Sequence, residues 1–191
     1  MFSMTEKVTR PQLDLIDRIT TTLDDRRAWL FGGWGLDARI GHVTREHGDV
    51  EFWVDRRDAP EVRRLLVDAG ATLLDTQPPE ESSEYSWEDT RFSTAYFDAR
   101  SDGTFTTEGR WDDWVFPAGS FPDERVEFEG LSLLVMSVVG MLAMREQYPH
   151  LRNGRPWRDK DIAAVRVLRS MRWTAFRRPS PRRVSARTPR R

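Results

Sequence analysis

The chain has 191 residues, 38% of them hydrophobic, which is enough to bury one good core and argues for one domain or a domain with a small appendage. It contains no cysteine, so disulfides, thiol nucleophiles and thiolate metal sites are excluded, and His and carboxylate groups remain as ligands for a hard cation. Of the 30 Lys+Arg, eight arginines fall in 172–191, where there is no acid, so residues 1–171 carry 22 basic side chains against all 31 Asp+Glu. Such an acidic body attracts cationic ligands and repels nucleic acid, and the basic tail is the one part suited to RNA or an anionic surface. No apolar run reaches the roughly 18 residues of a membrane span, and Met1–Arg10 lacks the apolar centre of a signal peptide, so a cytoplasmic protein without a membrane partner is expected.

Around and after Pro11, Leu13, Ile16, Thr20 and Leu23 recur at helical spacing and predict a first helix over 9–27. A strand follows over 28–31, broken by Gly32 and Gly33, and "WGLDARIG" reads as a short helix ending at Gly41. Alternation over 49–54 gives a second strand. Asp58 as N-cap, Pro60 in the first turn and Val62, Leu65, Leu66 and Ala69 on one face predict a helix closed by Gly70. "ATLLDT" is a third strand, the acidic, proline-bearing "QPPEESSEYSWED" a loop, and 90–98 a strand before an Asp102-Gly103 turn. "RVEFEG" and "LSLLVM" form a hairpin turning at Gly130, Ser137 caps a helix over 138–147, and a last helix runs from about Asp159 to Met171. The Pro, Ser and Arg of "RRPSPRRVSARTPRR" predict a disordered end. The organisation expected is a mixed α/β core over 1–135, a helical C-terminal part over 136–171 and a basic tail over 172–191.

Chemistry concentrates between the first two strands. "GWGLDA" fits the G-x-G-x-x-A dinucleotide pattern, but Gly41 stops the helix after about two turns where that fold needs a longer one. Asp49 and Glu51 also lie at the beginning of the next strand, where neither reaches a ribose. As residues i and i+2 of a strand they share a face, and a divalent cation such as Mg²⁺ relieves their repulsion while recruiting phosphate oxygens. Gly32-Gly33 ahead of a helix offers backbone N–H groups and close approach to a triphosphate. Together these parts describe phosphoryl or nucleotidyl transfer.

The stretch "FGGWGLDARIGHVTREHGDVEFWV" resembles the signature of the small antibiotic nucleotidyltransferases, the aminoglycoside 2''-adenylyltransferase and lincosamide nucleotidyltransferase group. That pattern of Gly-Gly-Trp, Asp, Gly, Arg-x-His and Asp-x-Asp falls here on Gly32, Gly33, Trp34, Asp37, Gly41, Arg45, His47, Asp49 and Glu51. Weaker likeness continues through "SDGTF", "WVFPAGSF", the helix from Ser137 and "RDKDI", up to about Met171. The resemblance implies a polymerase-beta-like nucleotidyltransferase fold of α/β (α+β) class, a short mixed sheet with flanking helices and a small helical C-terminal part. It implies Mg²⁺ on Asp49 and Glu51, a nucleotide along Gly32 and Gly33 with the basic pair Arg45 and His47, and Lys160 as a phosphate partner.

The activity it implies is Mg²⁺-dependent transfer of AMP from ATP to a hydroxyl of an aminoglycoside-like cationic antibiotic, releasing pyrophosphate. A lincosamide, a protein or an RNA acceptor would keep that chemistry, and a nucleotide-binding homologue with lost or weak catalysis is the remaining alternative. Two positions depart from the pattern: Glu51 stands for the usual Asp, and Ser93 falls where the family has a third carboxylate. Asp98 is the first candidate for that catalytic role, although its odd offset from Ser93 puts it on the opposite strand face unless a bulge intervenes. Asp89, ahead of the strand, is the other.

Overall fold

The computed structural model describes residues 4–74, 76–151 and 156–176. Helix α1 (Met4–Leu23) includes Pro11 in its interior and buries Leu13, Ile16, Ile19 and Leu23 along one stripe, so it starts and ends earlier than its apolar period predicts. Strands β1 (Ala28–Leu30), β2 (Val50–Asp55), β3 (Thr72–Leu74), β4 (Ser82–Trp87) and β5 (Thr90–Ala99) form a sheet in the order β1-β2-β5-β4-β3. The β2–β5 pair is parallel and the others are antiparallel, which makes the sheet mixed as expected. Two short strands, β6 (Phe105–Thr106) and β7 (Val115–Phe116), extend it beside β5.

Strand β4 corrects the expectation of a loop over 77–89. Ser83, Tyr85 and Trp87 point into the core and Ser82, Glu84 and Ser86 to the other side, the period-two pattern of a half-buried strand. Trp87 pairs with Thr90 across a two-residue turn in which Glu88 and Asp89 adopt φ of 48° and 65°. Turns of that kind normally carry Asn or Gly, and an acidic pair in their place hides the hairpin.

On one face of the sheet Val50, Phe52, Val54, Tyr85 and Phe92 are buried, and α1 packs against β5 and against α3 (Ala59–Asp68). On the other face an aromatic cluster covers the half nearer β6 and β7: Phe97 stacks on Phe121 at 4.0 Å and Trp53 meets Phe116 at 5.3 Å. The half that holds Glu51 stays open. A hairpin of β8 (Arg125–Phe128) and β9 (Leu131–Leu134) joins the sheet through Met136 N–H, which donates to Leu30 O at 3.0 Å. Helices α4 (Val138–Leu151) and α5 (Asp159–Phe176) pack on each other, and α4 also packs on α2 (Gly32–Ile40). Helix α5 runs to Phe176, past the boundary expected at Met171; the remainder of the basic tail, 177–191, lies outside the described residues. Among the described residues no helix is long and apolar enough to cross a membrane.

Candidate functional site

The two glycines open α2 rather than preceding it as a loop. Gly32 sits at φ 67°, a left-handed conformation that glycine adopts freely, and turns the chain from β1 into the helix. The N–H groups of a helix's first turn have no intrahelical acceptors, and the N-cap residue Phe31 supplies no side-chain cap. Both glycines are also needed for space. A Cβ on Gly32 would collide with the Glu51 carboxylate, and one on Gly33 with His47 Nδ1 and the Arg45 guanidinium.

A buried network fixes the segment between α2 and β2. Asp37, fully buried on α2, accepts from Thr44 N–H at 2.9 Å and from Thr44 Oγ1 at 2.6 Å, and its Oδ2 lies 2.7 Å from His47 Nε2. Burial alone would push this carboxyl up, but the bonds from His47 and Thr44 outweigh it and hold the group below its ordinary value. The His47 ring packs on Trp34 at 4.7 Å, Trp34 Nε1 donates to Gln12 Oε1 at 3.1 Å, and Gln12 Nε2 donates to His47 O at 3.1 Å. Trp34, Asp37 and His47 are thus one structural unit that aims β2. His47 borders the cleft through its ring edge, with Nε2 committed to Asp37, while Arg45 is exposed at the rim.

Asp49 and Glu51 face a cleft of about 460 Å³ lined also by Gly32, Gly33, Arg45, His47, Arg145, Arg158 and Lys160. Burial and the neighbouring Asp49 charge push Glu51 up to about 7, against the opposing pull of Arg145, Lys160 and Arg158. A carboxyl that retains a proton near neutrality beside a second carboxylate is the signature of a site short of positive charge. Two hard oxygen donors on one strand face fit Mg²⁺, which takes one or two protein carboxylates and fills its shell with water and phosphate oxygens. Among the described residues no third His, Asp or Glu gathers with them as a ligand group.

Arg145, on α4, donates from Nη2 to Gly32 O at 3.1 Å, and its buried Nε has no hydrogen-bond partner among the described residues. Nothing in the sequence marks Arg145, a lone arginine in "MLAMREQ". Arg158 stands in the "RDKDI" stretch, where only Lys160 was singled out; its guanidinium pairs with Asp161 at 2.6 Å.

Beyond the acid pair the sheet face continues as a hollow. The register places Glu51 beside Ser93 and Ser93 beside Glu84, one row across β2, β5 and β4. Small side chains at Ser82 and Ser93 leave a space of about 240 Å³ along this row, bordered by Asp49, Gln77 and Arg91, and a second of about 220 Å³ that Ala95 also lines and that Trp53, Trp111 and Trp114 border. Trp111 ends a single 3-10 turn (Gly109–Trp111) that Glu81 fastens to β4 by accepting from Arg110 N–H at 2.6 Å and Arg110 Nε at 2.8 Å.

Asp98 is not brought to this site. The register of β5 runs without a bulge from Phe92 to Phe97, so Asp98 lies on the face opposite Ser93, at the far end of the strand, and its Oδ2 accepts from Arg56 Nε at 2.9 Å. The parity of the strand decides against the expected catalytic role. Asp89 occupies the exposed β4–β5 turn.

Comparison with known proteins finds relatives in sequence and in fold. A 66-residue stretch is 32% identical to a 2''-aminoglycoside nucleotidyltransferase of Escherichia coli, covering 34% of this chain and 37% of that protein, so the chain aligns with little more than a third of the relative's length. The fold is similar to the crystal structure of ANT(2'')-Ia in complex with adenylyl-2''-tobramycin, with a TM-score of 0.69 and 19% identity over 87% of this chain and 92% of that one. It is also similar to the lincosamide antibiotic adenylyltransferase LnuA in its lincomycin-bound crystal structure, with a TM-score of 0.59 and 22% identity over 89% of this chain and 99% of that one. The architecture is accordingly the polymerase-beta-like nucleotidyltransferase fold. The family model described as aminoglycoside-2''-adenylyltransferase matches residues 15–168, and the chain belongs to that family.

Proposed function

We propose that this protein is a Mg²⁺-dependent nucleotidyltransferase that moves AMP from ATP to a hydroxyl of an aminoglycoside-like antibiotic and releases pyrophosphate. The observation that carries the reading is the cleft itself: the Asp49–Glu51 pair, the uncapped start of α2 and the cations Arg145, Arg158 and Lys160 line one space. Mg²⁺, when bound, would neutralise the acid pair and polarise phosphate oxygens. Asp49 and Glu51 would hold it, the N–H groups of Gly32 and Gly33 would donate to the triphosphate, and Arg145 and Lys160 would balance its charge. Arg45 reaches the same space from the rim. His47 contributes by keeping the loop before β2 in place. ATP as co-substrate accords with a cytoplasmic location.

The acceptor would enter over the Ser82, Ser93 and Ala95 hollow, against Trp111 and Trp114. A cationic acceptor suits a body with more acids than bases and aromatic faces that attract cations. A lincosamide acceptor is the second reading, favoured by the apolar part of the same wall. The test is incubation with Mg²⁺, each NTP and a panel of aminoglycosides and lincosamides, read as a nucleotidyl mass increment on the acceptor. An adenylyl increment on an aminoglycoside is expected. Nucleotide-induced thermal stabilisation with no product from any acceptor would overturn the reading in favour of a binding protein.

A further inference from the structure

A hydroxyl that attacks a phosphorus must lose its proton, and the residues committed to metal and phosphate do not supply the group that takes it. Asp49 and Glu51 are assigned to the metal, Arg145, Arg158 and Lys160 are cations, and His47, bonded to Asp37 through Nε2, turns its unpartnered Nδ1 toward Gly33 on the nucleotide side and lines neither hollow beside Ser93. Ser93, beside Glu51 on the neighbouring strand, carries a neutral hydroxyl. One strand further, in the same row and on the same face, stands Glu84. Its side chain is 20% exposed, and it lines the space that Asp49, Glu51 and Ser93 also line.

From the geometry we infer that Glu84 is the general base of the transfer, an inference that rests on the function proposed above. Neighbouring strands lie about 4.8 Å apart, so Glu84 and Glu51 face each other at about 10 Å between Cα atoms. That separation leaves room for an acceptor oxygen between a phosphate at the metal pair and the Glu84 carboxylate. The small side chain of Ser93 is what keeps the path open. Glu84 does not swing free: Thr76 Oγ1 donates to Oε2, and Arg91 lies 3.4 Å from Oε1. In the step, the acceptor oxygen forms a bond to the α-phosphorus of ATP while the bond from that phosphorus to the β-bridging oxygen breaks. The hydroxyl proton passes to Glu84, pyrophosphate leaves, and Glu84 returns the proton to solvent.

Glu84→Gln keeps shape and most contacts, and it should lower kcat by roughly 10² to 10⁴, the usual range for loss of a general base, with acceptor KM within about threefold. Thermal stabilisation by Mg-ATP should match the parent. Ser93→Asp should raise the turnover of Glu84→Gln by a larger factor than it raises that of the parent, because it replaces a missing base only in the variant, a difference that a merely structural role of Glu84 would not give. Glu84→Asp serves as a second variant, with partial activity expected. Parental turnover retained in both Glu84 variants, or loss of Mg-ATP stabilisation in Glu84→Gln, overturns the assignment while leaving the transferase reading intact. Absence of product from the parent itself would overturn both.

Discussion

The Glu51 carboxylate presses on Gly32 with no room for a Cβ between them, so the turn into α2 and the acidic face of β2 are built as one piece. Gly32→Ala must move Glu51 and also strain a backbone at φ 67°. The expected result is a loss of about 1–3 kcal/mol of stability together with loss of Mg-ATP binding, measured by thermal melting and nucleotide titration. Gly41→Ala is the control: its φ of 96° carries the backbone strain, but nothing stands within 4 Å of the new methyl. That variant should lose stability and keep nucleotide binding. Equal binding in both would show that the Gly32–Glu51 contact does not matter to the site.

Burial and the Asp49 charge raise the Glu51 pKa in the folded protein. Its folded value near 7 lies above the 4.5 expected in the unfolded chain, so between these values the folded state holds a proton that the unfolded state has released. The resulting stability is complete below pH 4.5 and is lost as pH rises to about 7, to the extent of about 3 kcal/mol. Denaturation of the metal-free protein should show this decline, and Glu51→Gln should abolish it. Asp49→Asn should weaken it, because the Asp49 charge is one of its causes, and should also remove Mg²⁺-dependent ATP binding with the fold retained. A stability profile unchanged by both substitutions would mean that the carboxylates are not coupled.

The family-like basic pair divides into two jobs. His47 is buried and bonded to Asp37 at 2.7 Å, so His47→Ala leaves a cavity and removes one partner of a buried carboxylate. A stability loss of about 2–4 kcal/mol is expected, with activity falling as a consequence. Arg45 is exposed, and Arg45→Ala should change stability by less than about 0.5 kcal/mol while raising the KM for ATP. Reversal of these two outcomes would place the nucleotide contact at His47 instead.

Much of the site was legible because it depends on short-range spacing. Alternation along β2, continued back by one residue, puts Asp49 and Glu51 on one side, and the signature from Gly32 to Glu51 carries its structural glue, Trp34, Asp37 and His47, within the same run. The parity argument against Asp98 could also be made from sequence, and the bulge that would have reversed it does not occur. What was hidden depends on pairing and packing. β4 is closed by a Glu88-Asp89 turn without glycine, and β6 and β7 are two residues each, too short to show a period. Arg145 becomes part of the cleft only when α4 packs against α2, and Glu84, legible in the sequence as one of several loop acids that could line an acceptor site, is singled out from them only when β4 takes its register on β5 beside the neighbouring hollow.

The pairing of Asp98 with Arg56 carries its own expectation. Asp98→Asn removes a partly exposed ion pair, which is worth at most about 1 kcal/mol, and lies on the wrong face for catalysis. Turnover of the variant should equal that of the parent in an initial-rate assay. A fall of tenfold or more with an unchanged melting temperature would return Asp98 to the reaction.

Arg145 is the cation that joins the two halves of the cleft, anchored on Gly32 O at 3.1 Å while its Nε remains buried without a partner among the described residues. Burial pushes its guanidinium down, although the Asp161 and Glu51 charges oppose that shift. An arginine held this way is preorganised for phosphate oxygens, since a charge-assisted bond formed on binding costs little further ordering. Arg145→Met preserves the apolar stem and removes the charge, so ATP affinity should fall by roughly tenfold or more, in line with a charge-assisted hydrogen bond of about 1.5–3 kcal/mol. Arg145→Lys should bind ATP with intermediate affinity, because it restores a point charge without the fork. The same substitution to Met has a second, independent readout. Arg145 pulls the Glu51 pKa down, so its loss should move the pH-dependent decline in stability of the metal-free protein to higher pH. If Arg145→Met binds Mg-ATP like the parent and leaves that transition in place, the guanidinium neither touches phosphate nor senses Glu51, and the cation side of the cleft must be assigned to Lys160 and Arg158 alone.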